Sequence, residues 1–164
     1  MKEFFSQLYI RRIIRYAVYL FLALVMQNML FTGIRPFGVC PMFLPAVCVA
    51  VGMFQDSVWA TAFCLVLGIF ADMAYVENTM LFTVLFPVLA FFSGFLCQFL
   101  LNRRFFAYMG LTLAASFITA LAQMIATGLG DAFSASMVPT VIMQALFSII
   151  PAPLAYFPPA RWIE

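Results

Sequence analysis

Six long apolar runs separated by short polar breaks make up most of this 164-residue chain. Each run holds about 20 residues, enough for a helix to cross the hydrocarbon core of a bilayer at about 1.5 Å per residue. A membrane β-barrel would instead need alternating segments of about ten residues. The pattern therefore predicts an all-α membrane protein, a six-transmembrane-helix bundle that forms one integral domain over residues 1–164. The predicted spans are 13–31, 37–54, 58–76, 80–101, 105–127 and 137–157.

The composition excludes an ordinary soluble domain. The chain is 66% hydrophobic and 9% charged, and its mean hydropathy is +1.11. A typical soluble domain is about 45–50% apolar and about 25% charged. A protein of this size could not bury so much apolar surface in water, because small domains leave much of their surface exposed.

The basic residues lie almost entirely on one side of the predicted bundle. With six spans, one side carries Arg35 alone and the other carries Lys2, Arg11, Arg12, Arg15, Arg103, Arg104 and Arg161. Short loops rich in Lys and Arg stay in the cytoplasm. This bias predicts a multi-pass membrane protein with both termini cytoplasmic. The first run lacks a small-x-small cleavage site, so we expect it to remain as a span.

Several kinds of chemistry find no support in the sequence. No basic run with interleaved aromatic residues lies outside the apolar runs, so we expect no nucleic-acid partner. The chain has no histidine, and its four cysteines lie inside apolar runs without a CxxC pair. These features predict no metal site and no cofactor. A serine nucleophile would have no evident base, so we expect no enzymatic activity.

Asp72 is the acid that stands out, near the outer end of the third predicted span. A carboxylate at mid-membrane costs about 2.5–3.5 kcal/mol, and intramembrane acids often mark function. Two interpretations remain open: an ion pair with Arg35 at the outer interface, or a contact to a partner or ligand. Gly68, one turn earlier on the same face, would allow a close helix approach. Arg35 could also anchor the chain at lipid headgroups.

Prolines inside the predicted spans indicate irregular helices, since each removes an internal hydrogen bond. They lie in the second span (Pro41 and Pro45), the fourth (Pro87) and the sixth (Pro151 and Pro153), and Pro158-Pro159 is expected to end the last span. We expect the second helix to be kinked or irregular near its outer half. Such breaks could shape a substrate cavity or only the packing of helices.

A stripe of small and polar residues along the fifth span predicts a helix–helix contact. The sequence leaves open whether this contact is internal or with another protein. The stripe consists of Ala115, Ser116, Thr119 and Gln123. Four amides within the spans are expected to form hydrogen bonds between helices: Gln27, Asn28, Gln98 and Gln144.

Two short motifs resemble the MreD family of rod shape-determining proteins. They are Gly38-Val39-Cys40-Pro41, which opens the second span, and Gly68-Ile69-Phe70-Ala71-Asp72, which ends the third. Within the two motifs, the residues that match the family are Pro41, Gly68 and Asp72. The sequence departs from the family at Glu77-Asn78-Thr79, where members often have a glycine.

The resemblance to the MreD family implies a non-catalytic scaffold of the cell-wall elongation (rod) complex, located in the bacterial cell (plasma) membrane. Such a scaffold regulates cell shape by positioning peptidoglycan synthesis. Its implied partners are membrane lipids and an MreC-like protein, and through the latter MreB, RodA and a class B penicillin-binding protein.

A rival interpretation is the substrate-binding subunit of an energy-coupling-factor vitamin transporter. Those proteins resemble the MreD family in their six-helix architecture and short loops. Their first helix usually carries an Ala-x-x-x-Ala docking pattern. Here Ala17 is followed four residues later by Phe21, and Ala23 by Gln27, so the pattern is missing.

Overall fold

The computed structural model describes residues 2–31, 33, 41–74, 80–99, 105–128 and 137–160. Within these ranges the chain is helical and contains no strand, which confirms the all-α prediction for the described residues. The helices are α1 (Lys2–Val25), continued by a π-helical segment (Met26–Phe31), α2 (Leu44–Phe54), α3 (Ser57–Ala74), α4 (Leu81–Phe99), α5 (Phe105–Gly128), α6 (Met137–Ile149) and α7 (Ala152–Ala160).

Several of these helices are long and apolar enough to cross a membrane. In the described part of the chain these are α3, α4 and α5, and α6 with α7 makes a fourth when the bent pair is one span. The apolar part of α1 and its π segment, Ile13–Met29, is shorter, as is α2. The prediction of a membrane protein is thus confirmed to the extent that several helices are able to span a bilayer. The number of six crossings stays a prediction.

Helix α2 forms the centre of the bundle. All its residues are buried, and it packs mainly against α4, α5 and α7. Its eleven residues extend about 16 Å, roughly half of the hydrocarbon thickness. Within the predicted span 37–54, residues 41–43 are not helical and α2 begins at Leu44. This irregular start agrees with the expectation from the prolines of that span. Pro45 is compatible with this late start, because the first turn of a helix needs no intrahelical N–H donor there.

Four segments meet at one end of the bundle, here called the Gln55 end. The Tyr16 hydroxyl of α1 donates a hydrogen bond to Oε1 of Gln55, just after α2. The ring of Tyr156 in α7 lies 5.2 Å from those of Phe54 and Phe105, measured between centroids. Helix α3 leads from this end to the opposite one, which we call the Asp72 end.

Prolines interrupt the helices less than the sequence predicts. Helix α4 is continuous through Pro87. The last segment does break between α6 and α7, which are bent by 43°. However, the prediction that Pro158 and Pro159 end the last helix is wrong, since both lie inside α7. Pro159 has no N–H for the carbonyl of Ala155 four residues earlier, and the Tyr19 hydroxyl donates to that carbonyl instead at 2.9 Å.

Helices α2 and α4 approach to backbone contact where both carry small residues. A Cβ added at Gly94 would lie 2.8 Å from the carbonyl oxygen of Gly52. A Cβ added at Gly52 would overlap the carbonyl oxygen of Ala90 and the hydroxyl of Ser93. Small residues of this kind let membrane helices pack closely. The sequence analysis did not single out this crossing.

Candidate functional site

Asp72 joins the end of α3 to the start of α4. Its carboxylate accepts hydrogen bonds from the backbone N–H of Phe82 at 3.1 Å and of Thr83 at 2.8 Å. It also accepts one from the Thr83 hydroxyl at 2.6 Å. Because α4 begins at Leu81, these N–H groups belong to its first turn, which has no intrahelical acceptors. A negative charge at this position also interacts favourably with the helix dipole.

Gly68 makes the contact of Asp72 possible. A Cβ added at Gly68 would lie 2.5 Å from the carbonyl oxygen of Phe82 and 2.8 Å from Cα of Thr83. Gly68 and Asp72 therefore contact the same two residues of α4. The Gly-x-x-x-Asp sequence is here a motif for joining two helices. Arg35, the predicted ionic partner or lipid anchor, lies outside the described residues.

Gln27 satisfies backbone groups at the buried start of α2. Its side-chain Oε1 accepts a hydrogen bond from the N–H of Phe43 at 2.6 Å, and its Nε2 donates to the carbonyl of Pro41 at 3.4 Å. Pro41 precedes α2, so no intrahelical N–H reaches its carbonyl; the first carbonyl that accepts from α2 is that of Phe43. One amide thus binds a backbone donor and a backbone acceptor in the segment that leads into α2, where Pro41 lies.

Two further side chains attach α2 to the C-terminal helices. The Ser148 hydroxyl of α6 accepts a hydrogen bond from the N–H of Met42 at 2.9 Å. The hydroxyl of Tyr108, which is fully buried in α5, lies 2.8 Å from the carbonyl oxygen of Ala152 and 3.2 Å from that of Ala46. It has a single proton to share between α7 and α2. Polar side chains therefore connect α2 to α5, α6 and α7.

The predicted stripe on α5 lies among the chain's own helices. Ala115, Ser116 and Thr119 are buried, and α5 packs mainly against α6 and α2. The Thr119 hydroxyl donates to the Ala115 carbonyl at 2.7 Å. Gln123 accepts a hydrogen bond from Gln144 of α6 at 2.9 Å. The structure thus provides internal contacts for this stripe.

The sequence analysis missed Tyr19, Tyr108 and Ser148 as cross-links. One signal was available, because a proline frees the carbonyl four residues before it and a buried helix must satisfy that group. It could have marked the carbonyl of Ala155 as needing a donor. Of the four amides named from the sequence, Gln27 and Gln144 form hydrogen bonds between segments, whereas Asn28 and Gln98 are exposed.

The described polar groups perform a common task. Asp72, Gln27, Ser148, Tyr19 and Tyr108 each bind backbone groups of another segment of the chain. Across the described ranges, no three His, Cys, Asp or Glu side chains come together in a way that could hold a metal ion. The arrangement holds short and broken helices in a fixed relation.

We expect Asp72→Asn to lower the stability of the folded bundle by roughly 1–2 kcal/mol. Asparagine keeps one acceptor oxygen and loses the charge at the start of α4, whereas aspartate serves three donors. Unfolding by SDS titration of the purified protein measures the change. Thr83→Val removes only the hydroxyl donor and should have the smaller effect. Equal stability of Asp72→Asn and the unaltered chain would contradict this role.

Comparison with known proteins identifies no relative. No protein-family model matches the sequence, no curated protein matches it, and no solved structure matches the fold.

Proposed function

We propose that this chain is a non-catalytic integral membrane scaffold of the cell-wall elongation complex. The observation that supports the proposal is the contact of Gly68 and Asp72 with the start of α4. Both residues belong to the motif that resembles the MreD family. Both hold α3 against α4 through backbone contacts. Pro41, the third such residue, stands just before the buried start of α2. Residues that fix helices in place suit a protein that acts by presenting a stable surface to partners.

The proposed scaffold crosses the bilayer six times with both termini in the cytoplasm. The crossings are α1 with its π segment, α2 with the residues before it, α3, α4, α5, and the bent pair α6–α7. Arg11 and Arg15 support this orientation, because both are exposed on the part of α1 near the Gln55 end. Exposed arginines close to a span favour the cytoplasmic side.

Partners would dock on the outward faces of the helices. Helices α3 and α4 pack closely against each other and still expose large apolar side chains. Those of α4 include Val84, Val88, Phe91, Phe92 and Phe95. Association of helices in lipid depends on close packing, because lipid tails are as apolar as the side chains. The span of an MreC-like protein is the partner we propose for such a face.

A tagged pull-down from native membranes in mild detergent tests the proposed function. We expect mass spectrometry to identify an MreC-like protein, RodA or a class B penicillin-binding protein among the retained proteins. A tagged multi-pass protein of unrelated function, expressed at the same level, is the control for non-specific recovery. Recovery of ABC-type ATPases with a coupling membrane subunit would overturn the proposal, as would a vitamin retained through purification. Either result would favour the transport subunit.

A further inference from the structure

A groove of about 430 Å³ lies between α1 and α7. Its floor includes Tyr19, Ala23 and Phe43, which are buried, and its rims include the exposed Val18, Leu22 and Leu154. The groove is therefore open to the surroundings of the bundle. The Tyr19 hydroxyl is occupied by its hydrogen bond to Ala155. The walls are thus almost entirely apolar.

The length of the groove matches one leaflet of a bilayer. From Arg15 to Met26, both of which line it, α1 and the start of its π segment extend about 16 Å. This is close to the thickness of one leaflet, about 15 Å.

A positive charge, that of Arg15, lies at one end of the groove. Arg15 is the charged residue among those that line the groove, and it is exposed. The structure gives it no hydrogen-bond or ion-pair partner among the residues it describes. Arg11 is one turn earlier on α1 and is also exposed. A guanidinium offers two parallel N–H donors that match the oxygens of a phosphate.

We propose that an anionic phospholipid of the leaflet at the Gln55 end occupies this groove. One acyl chain lies along Val18, Leu22 and Met26, and the lipid phosphate accepts hydrogen bonds from Arg15. Arg11 adds positive charge beside the headgroup and favours an anionic lipid over a zwitterionic one. The bound lipid covers the apolar floor that α1 and α7 leave open. This site stands independently of the proposed partners.

Native mass spectrometry of the purified full chain tests the site. The protein is titrated separately with phosphatidylglycerol and with phosphatidylcholine of the same acyl chains. We expect phosphatidylglycerol to bind at least fivefold more tightly. Arg15→Gln should weaken phosphatidylglycerol binding about fivefold and phosphatidylcholine binding less, because both lipids lose hydrogen bonds to their phosphate and only phosphatidylglycerol loses the attraction of a net charge. Equal affinity of the unaltered chain for both lipids would overturn the proposal, as would an Arg15→Gln variant that binds like the unaltered chain.

A groove-filling variant tests the position of the acyl chain. Val18→Trp should reduce the binding of both lipids, because the indole would take the space of the chain. Val84→Trp is the matched control, since Val84 is an exposed valine on α4 that does not line the groove. Equal lipid binding by the two variants would place the lipid elsewhere.

Crosslinking distinguishes a lipid from a partner helix. A photoreactive amino acid at position 18 in native membranes should yield an adduct with the mass of a phospholipid. An adduct to a protein would overturn the lipid proposal and assign the groove to a partner helix. Because the titration uses the purified chain alone, failure of the pull-down would leave the lipid result intact.

Discussion

Replacing Gly68 by alanine should destabilise the folded bundle by about 3 kcal/mol or more. The added Cβ would meet the backbone of Phe82 and Thr83 at 2.5–2.9 Å, closer than such contacts normally come. Overpacking of this kind typically costs about 1–3 kcal/mol, and backbone atoms cannot rotate away as a flexible side chain can. Any shift of α4 would also lengthen the hydrogen bonds that its first turn donates to Asp72. The clash at this junction can therefore be relieved only at the expense of its hydrogen bonds.

Gly110→Ala is the matched control for Gly68→Ala. Gly110 lies inside α5, and a Cβ there would meet nothing within 4 Å. Alanine should be neutral or stabilise α5 by up to about 1 kcal/mol, because glycine is a weaker helix former. The midpoint of SDS-induced unfolding and the temperature at which the monodisperse peak is lost measure both variants. If the two variants unfold alike, the close α3–α4 contact is wrong.

The agreement between sequence and structure is best where a span has no proline. Helix α5 runs from Phe105 to Gly128, close to the predicted 105–127, because an uninterrupted apolar run with small residues can only form a helix in lipid. The second and sixth spans agree less well. Whether a helix continues through a proline depends on which side chain donates a hydrogen bond to the carbonyl that the proline leaves free. The sequence does not show which side chain lies there. Tyr19 is 136 positions away from Ala155, whose carbonyl it binds.

The candidate site could be predicted only in its local part. Gly68 and Asp72 are four residues apart, so helical periodicity alone places them on one face. Their contacts on α4 could not be derived from the sequence. An acid at the end of a helix can pair with any of several cations or bind the N–H groups at the start of any of several helices. The structure identifies the backbone N–H groups of Phe82 and Thr83. Because Asp72 holds α3 against α4, an Asp72 variant that loses a partner does not by itself show that Asp72 contacts the partner. A weakened α3–α4 junction would also disturb any surface formed by those helices.

Gln27→Met should destabilise the bundle by about 2–4 kcal/mol. Methionine keeps the length of the side chain, so the loss isolates the hydrogen bonds from the packing. The N–H of Phe43 and the carbonyl of Pro41 would lose their side-chain partner in a buried position. Each buried group left unsatisfied costs about 1–3 kcal/mol. The loss is hard to repair, because Pro41 precedes α2 and no N–H of that helix reaches its carbonyl.

The effect of Gln27→Met should be local to the start of α2 before it is global. Hydrogen exchange followed by mass spectrometry should show faster exchange in the peptide over 42–47 than in α3 or α4, because a helix start without its cap opens more often. Asn28→Leu is the matched control, since Asn28 is the next residue and is exposed. It should leave both exchange and stability near those of the unaltered chain. Equal effects at the two positions would mean that Gln27 does not hold the buried start of α2.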